Sequence, residues 1–88
     1  MRFSVDPEKV AFRFVDGEAI LINTATSYYY SLNAVGAFLW RLLAEQSRAL
    51  AELVDAVSTE YGQAPEVVSK DVQNLLSDLR AEDLIVEE

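Results

Sequence analysis

The sequence predicts an α+β domain in which a three-stranded antiparallel sheet is followed by three helices and a short C-terminal β element. Two observations support this class. Apolar and aromatic runs separated by turn residues fill positions 10–32, and three stretches with helical apolar spacing follow from Asn33 onward. Strands that precede helices, instead of alternating with them, indicate an α+β arrangement.

The first two strands are predicted to form a hairpin. Val10–Val15 and Glu18–Ile22 flank Asp16-Gly17, a dipeptide that accepts the positive φ angles of a two-residue turn. This turn places one set of alternate side chains together on the face that we expect to be the core. These side chains are Phe12, Phe14, Ala19 and Leu21.

The third strand is predicted over Ser27–Leu32, after a polar turn. Its last residue should point inward to meet the first helix, and strict alternation then directs Tyr28 and Tyr30 inward as well. Tyr29 and Ser31 would face outward. A meander of three strands leaves this third strand at one edge of the sheet.

This predicted edge carries none of the features that usually protect exposed strands. No Lys, Pro or charged residue occurs between Asn23 and Leu32, although natural edges commonly carry such residues. The open edge could therefore accept an added peptide strand. The N-terminal arm, residues 1–9, is expected to be loosely held and could equally cover the edge.

Three helices are predicted from their caps and apolar stripes. The first covers about Ala34–Ala44, with Asn33 as its cap. The second covers about Ala49–Tyr61 and ends at Gly62, a residue that readily adopts the left-handed conformation. The third starts near Pro65, which suits the first turn of a helix.

Two residues of the first helix and the end of the chain need separate interpretation. Gly36 inside the helix predicts close packing against a neighbouring element. Trp40 lies off the apolar stripe, so it either fills a second buried face or forms a surface anchor for a partner protein. Leu84–Val86 could form a short closing strand or an apolar tail. The complete order of elements is winged-helix-like.

Length and charge limit the possible functions. Eighty-eight residues fit one domain, residues 1–88, with a single small core. The formal charge of −8 argues against nucleic acid, because phosphate-binding surfaces need clustered Lys and Arg. It also disfavours an acidic membrane surface. A neutral or basic polypeptide is the better electrostatic match.

The composition argues against an enzyme. The chain has no His and no Cys, which removes the usual general bases, thiol nucleophiles and soft-metal ligands. The acidic pairs Glu82-Asp83 and Glu87-Glu88 are expected to be solvated. We therefore predict a binding module with no cofactor and no metal. With no secretion-signal pattern at the N-terminus, we expect a cytoplasmic location.

The residues also resemble a known family. The segment VDGEAILINTATSYYYSLNAVGAFLWRLL, residues 15–43, is similar to the core of the PqqD family, with Leu32-Asn33 and a Gly-x-x-x-Trp motif over Gly36–Trp40. The segments LAELVDAVSTEYG and KDVQNLLSDLRAEDLI resemble the rest of that domain. The Tyr-rich strand and the Gly-x-x-x-Trp motif look like those of the free-standing versions in lasso-peptide and related clusters. The resemblance covers about residues 10–86.

This resemblance implies a RiPP recognition element, a winged-helix-like domain that binds the leader of a ribosomally made precursor peptide. In the family the leader docks as an extra antiparallel strand against the third strand, with side chains in a groove beside the third helix. The implied peptide-binding residues are Tyr28, Tyr29, Tyr30, Ser31, Leu32, Val68, Asp71, Val72, Leu75, Leu76 and Leu79. The implied partners are the precursor leader and a modifying enzyme, such as a radical SAM enzyme, a leader protease or a cyclase.

Two other functions share the predicted architecture. A winged-helix DNA-binding regulator would need a basic third helix, whereas Glu66, Asp71 and Asp78 outnumber Lys70 and Arg80 there. A structural subunit could use Trp40 and the strand edge to form a dimer.

Overall fold

The computed structural model describes all 88 residues. It confirms the predicted α+β class: a three-stranded antiparallel meander precedes three helices, and short strands lie near both ends of the chain. In chain order the elements are β1 (Arg2–Ser4), β2 (Val10–Val15), β3 (Glu18–Asn23), β4 (Tyr29–Leu32), α1 (Ala34–Glu45), β5 (Arg48–Ala49), α2 (Leu50–Tyr61), α3 (Pro65–Ala81) and β6 (Val86–Glu87).

The meander has the predicted order and register. Its strands are arranged β2-β3-β4, and Val15 lies opposite Glu18. The turn residues Asp16 and Gly17 have φ angles of 50° and 80°, as a two-residue hairpin turn requires. On the core face, Ala19 and Leu21 are completely buried.

A second small sheet corrects the expectation of a loose N-terminal arm. Its order is β5-β1-β6, so residues 2–4 pair with Arg48–Ala49 on one side and with Val86–Glu87 on the other. Phe3 is only 4% exposed. Main-chain pairing on both sides and burial of this aromatic ring hold the arm, which therefore does not cover β4.

The closing strand lies slightly later than predicted. β6 covers Val86–Glu87, whereas Leu84 and Ile85 just before it are buried in the core. Both predicted alternatives, the apolar tail and the closing strand, therefore occur in succession: Leu84 and Ile85 pack into the core, and Val86 and Glu87 pair with β1.

The core is one cluster of 18 buried apolar residues shared by the meander and the helices. Trp40 of α1 is fully buried and meets the Phe12 ring edge-to-face, with 5.7 Å between ring centroids. The alternative of Trp40 as a surface anchor is therefore wrong. A Cβ added at Gly36 would lie 3.0 Å from the Cβ of Leu32, which confirms the predicted close packing.

The helix boundaries follow their capping residues. The side chain of Asn33 accepts a hydrogen bond from the Gly36 N–H at 3.0 Å, which satisfies a free donor at the start of α1. Gly62 ends α2 in the left-handed conformation with φ 62°, and Pro65 occupies the first turn of α3. None of these helices has the length and the apolar composition needed to cross a membrane.

Candidate functional site

The outer edge of β4 is open, because no other strand of the protein pairs with it. β4 pairs with β3 on one side and with no strand on the other. β2 is the other edge of the meander, but it carries Arg13 in its middle and follows Lys9, and charged residues are a common protection for an edge strand. β4 has no charged residue.

The alternation of hydrogen bonds between β3 and β4 determines which main-chain groups face the open edge. The Asn23 N–H donates to the Tyr28 carbonyl oxygen at 3.0 Å, so this carbonyl faces β3 just before β4 begins. Two positions further along, Tyr30 lies opposite Leu21, and the same alternation directs the N–H and C=O groups of Tyr30 toward β3. Tyr29 and Ser31 therefore direct their N–H and C=O groups away from β3, toward the open edge.

A groove of about 550 Å³ lies beside this edge, between β4 and the C-terminal half of α3. We call it the edge groove. One wall consists of Tyr29–Leu32. The other wall comes from α3 and the turn after it, and consists of Leu75, Asp78, Leu79, Ala81, Glu82 and Leu84.

A second depression of about 250 Å³ lies between the three helices, and we call it the helical pocket. Leu75 lines both the edge groove and the helical pocket, so the two are neighbours along α3. The helical pocket is mainly apolar. It is lined by Val35, Leu39, Val57, Tyr61, Gln63, Val68, Asp71, Val72 and Leu75.

Nine of the eleven residues implied by the family resemblance line one of these two depressions. Leu76 does not, because it is 2% exposed and lines a depression on the other side of α3, together with Phe3. Tyr28 does not either. The expectation that Tyr28 points inward is wrong, since it is 66% exposed. The strand begins only at Tyr29, and Ser27 has a φ of 65°, so alternation does not extend back to residue 28.

Hydrogen bonds fix one end of the edge groove. The Tyr30 hydroxyl donates to Oε2 of Glu82 at 2.8 Å, and Nδ2 of Asn23 donates to the Glu82 carbonyl oxygen at 3.1 Å. The bond to Glu82, followed by desolvation and by the negative charge of that carboxylate, raises the pKa of the Tyr30 hydroxyl above its ordinary value of 10.0. Tyr30 is therefore a neutral donor at physiological pH.

Several lining residues were not found from the sequence. Asp78 follows Leu75 by three positions and so lies on the same face of α3, a signal that was present in the sequence. Glu82 and Leu84 come after the helix, and only the tertiary contacts with Asn23 and Tyr30 bring this turn to the groove. No signal in the sequence indicated that Val35 and Tyr61 would share the helical pocket.

The arrangement offers main-chain hydrogen bonding beside apolar side-chain pockets. Those are the components of peptide recognition by strand addition. The third helix does not favour DNA recognition, because its acidic side chains outnumber Lys70 and Arg80, and Arg80 is paired with Glu87.

Comparisons with known proteins agree with this geometry. A solved structure described as "TbiB1 in Complex with the TbiA(beta) Leader Peptide" matches with a TM-score of 0.87 and 29% identity, over 97% of this chain and 96% of the other. A second, "Lasso peptide synthetase B1 complexed with the leader peptide", matches with a TM-score of 0.80 over 97% and 98% of the two chains; at 18% identity it supports the fold alone. No curated protein sequence gives a significant match.

The family match covers most of the chain. The model of the family described as "Coenzyme PQQ synthesis protein D (PqqD)" matches residues 18–85, which include the meander from β3 onward, all three helices and both depressions. The chain therefore belongs to the PqqD family.

Proposed function

We propose that this chain binds the leader segment of a ribosomally synthesised precursor peptide by adding it as an antiparallel strand to β4. The observation that carries the proposal is the unpaired outer edge of β4, which lies beside an apolar groove of about 550 Å³. The leader-peptide complex of a relative with 29% identity supports it.

The two parts of the site have different roles in this mechanism. Main-chain groups of Tyr29 and Ser31 supply hydrogen bonds that do not depend on the leader's sequence. Alternate side chains of the leader enter the edge groove and the helical pocket, and these contacts supply selectivity. The peptide-binding set is then Tyr29–Leu32 and Val68, Asp71, Val72, Leu75 and Leu79.

The chain has no catalytic role in this proposal. It acts as an adaptor that holds the leader and presents the precursor to a modifying enzyme, such as a radical SAM enzyme, a leader protease or a cyclase. Tethering raises the local concentration of the substrate at that enzyme. The working location is the cytoplasm, where precursor peptides are made.

Amide hydrogen exchange tests the site directly. The probe is a synthetic leader peptide from any short precursor reading frame that genome sequencing finds beside the gene for this chain or, if there is none, the TbiA(beta) leader peptide of the matched structure. In the free protein we expect the outward amides of Tyr29 and Ser31 to exchange fast and the paired amide of Tyr30 to be protected. Saturating leader should protect Tyr29 and Ser31 as well. Leader binding that leaves these two amides unprotected would contradict strand addition.

A substitution gives an independent test. Tyr29→Pro removes an N–H that the sheet does not use, and proline is tolerated where an edge N–H faces solvent. We expect leader affinity to fall about tenfold, since one main-chain hydrogen bond is lost and its partner is left unsatisfied. Tyr29→Ala retains the N–H and measures the contribution of the side chain. If Tyr29→Pro and Tyr29→Ala bound the leader with equal affinity, the Tyr29 N–H would make no hydrogen bond to the leader, and this result would contradict strand addition.

A further inference from the structure

The charged side chains along the proposed site are all acidic. Asp71 lines the helical pocket, and Asp78 and Glu82 line the edge groove. No Lys or Arg lines either depression. The ion pairs of the protein lie elsewhere, so none of these three carboxylates is neutralised by a basic side chain; the pairs are Arg2–Glu52, Arg48–Glu45 and Arg80–Glu87.

The basic residue that is adjacent in sequence to these acids is directed away from the groove. Arg80 lies between Asp78 and Glu82 in sequence, but its guanidinium pairs with Glu87 at 2.6 Å. Arg80 lines the depression that contains Phe3, on the other side of α3. The edge groove therefore keeps two negative charges without internal compensation.

The end of α3 adds to this negative potential. The helix ends at Ala81, and its last carbonyl groups carry the negative end of the helix dipole. Ala81 and Glu82 both line the edge groove. A positive group is favoured at a helix C-terminus, and the chain supplies none on this side.

The carboxylate of Glu82 is held in position before any partner arrives. Its main-chain carbonyl accepts from Asn23, which is 7% exposed, and its Oε2 accepts from Tyr30. Its other oxygen, Oε1, makes no hydrogen bond within the protein. This oxygen and the Asp78 carboxylate are free to receive donors from a bound strand.

We propose that the leader strand bound at β4 carries a Lys or Arg side chain that lies against Asp78 and Glu82. This inference rests on the proposed function and specifies the chemistry of the partner: a basic residue placed at the end of the groove formed by the C-terminus of α3. Apolar leader residues fill the rest of the groove and the helical pocket.

The test uses charge-neutral variants of equal size. Asp78→Asn with Glu82→Gln removes the two groove charges and keeps the acceptor for Tyr30. The matched control is Asp55→Asn with Glu60→Gln on α2, where both side chains are exposed and line neither depression. Both double variants change the net charge equally, so a difference between them reports the groove and not the overall charge.

The probe is a displayed library of random linear peptides, selected on the wild-type chain, with amide shifts used to place each binder. We expect groove binders to be enriched in Lys or Arg. Replacing that residue with Gln should weaken binding about twofold to fivefold on the wild type and on the control. On the Asp78→Asn, Glu82→Gln variant, replacing the Lys or Arg of the peptide with Gln should not change its affinity. High salt should remove the difference in affinity between the two peptides on the wild type.

The outcomes separate this inference from the proposed function. Binders that map to β4 but show no basic enrichment, or that lose equal affinity on the groove and control variants, would overturn the basic-residue inference and leave strand addition intact. Binders that all map away from β4, with affinities unchanged by Tyr29→Pro, would overturn both.

Discussion

Leu75 and Leu76 are adjacent on α3, yet the structure gives them separate roles. Leu75 is half-buried and lines both the edge groove and the helical pocket. Leu76 is 2% exposed and faces the small sheet at the opposite side of the helix. Truncating each to Ala therefore gives a matched pair in which one change tests the site and the other tests the core.

The magnitudes follow from burial. Complete burial of a Leu side chain is worth about 2 kcal/mol. Leu75 is already half-buried in the free protein, so covering the rest on binding contributes about 1 kcal/mol. Leu75→Ala should then weaken leader binding about fivefold and lower the free energy of unfolding by about 1 kcal/mol. Leu76→Ala should cost about 3 kcal/mol of unfolding free energy and change leader affinity less than twofold.

Calorimetric titration with leader and urea unfolding of each variant measure both quantities. A chain of this size has about 4–13 kcal/mol of stability, so we expect both variants to remain folded at room temperature. The reasoning is refuted if Leu75→Ala binds leader like the wild type. It is also refuted if folded Leu76→Ala loses as much affinity as Leu75→Ala.

Three further predictions concern stability and titration. Phe3→Ala should lower the unfolding free energy by about 3 kcal/mol in urea melts, whereas a loose arm would give no change. Trp40→Phe should cost less, about 1 kcal/mol in the same melts, because it also removes the indole N–H, which is buried without a partner. In alkaline absorbance titration the Tyr30 hydroxyl should ionise above its ordinary pKa of 10.0, mainly because it donates a hydrogen bond to Glu82. The stability that this raised pKa contributes is present below pH 10 and lost as pH rises through the folded-state pKa. Glu82→Ala should remove most of the upward pKa shift.

Local signals predicted the hairpin and the helices because each signal acts over a few residues. Asp16-Gly17, Asn33 and Gly62 each fix a backbone conformation where they stand. Pairing of the arm with Arg48–Ala49 and Val86–Glu87 could not be predicted. Those strands have two residues each, too few for alternation, and they lie far apart in sequence.

The orientation of the β4 side chains could be predicted in part, because the alternation of side chains along a strand is also a local signal. Alternation within a strand correctly gave the inward Leu32 and the outward Tyr29 and Ser31, but it failed at Tyr28 because the positive φ at Ser27 interrupts the strand. The apolar stripe of α3 is wide, and the sequence alone does not determine which side of the stripe faces the open edge of β4. Position in the fold assigns Leu75 to that flank and Leu76 to the core.

The placement of the N-terminal arm has a direct consequence for affinity. A flexible arm that occupied the β4 edge in the free protein would compete with a guest strand, and the apparent dissociation constant would rise in inverse proportion to the fraction of molecules whose edge is free. Here β1 is held between β5 and β6, with Phe3 buried beneath it, so the edge is available without displacement. The small sheet that secures the two chain ends thus also keeps the binding-competent state populated. Substitutions that release β1, such as Phe3→Ala, should weaken leader binding only if the freed arm then pairs with β4, and the exchange rates of the Tyr29 and Ser31 amides report that pairing directly.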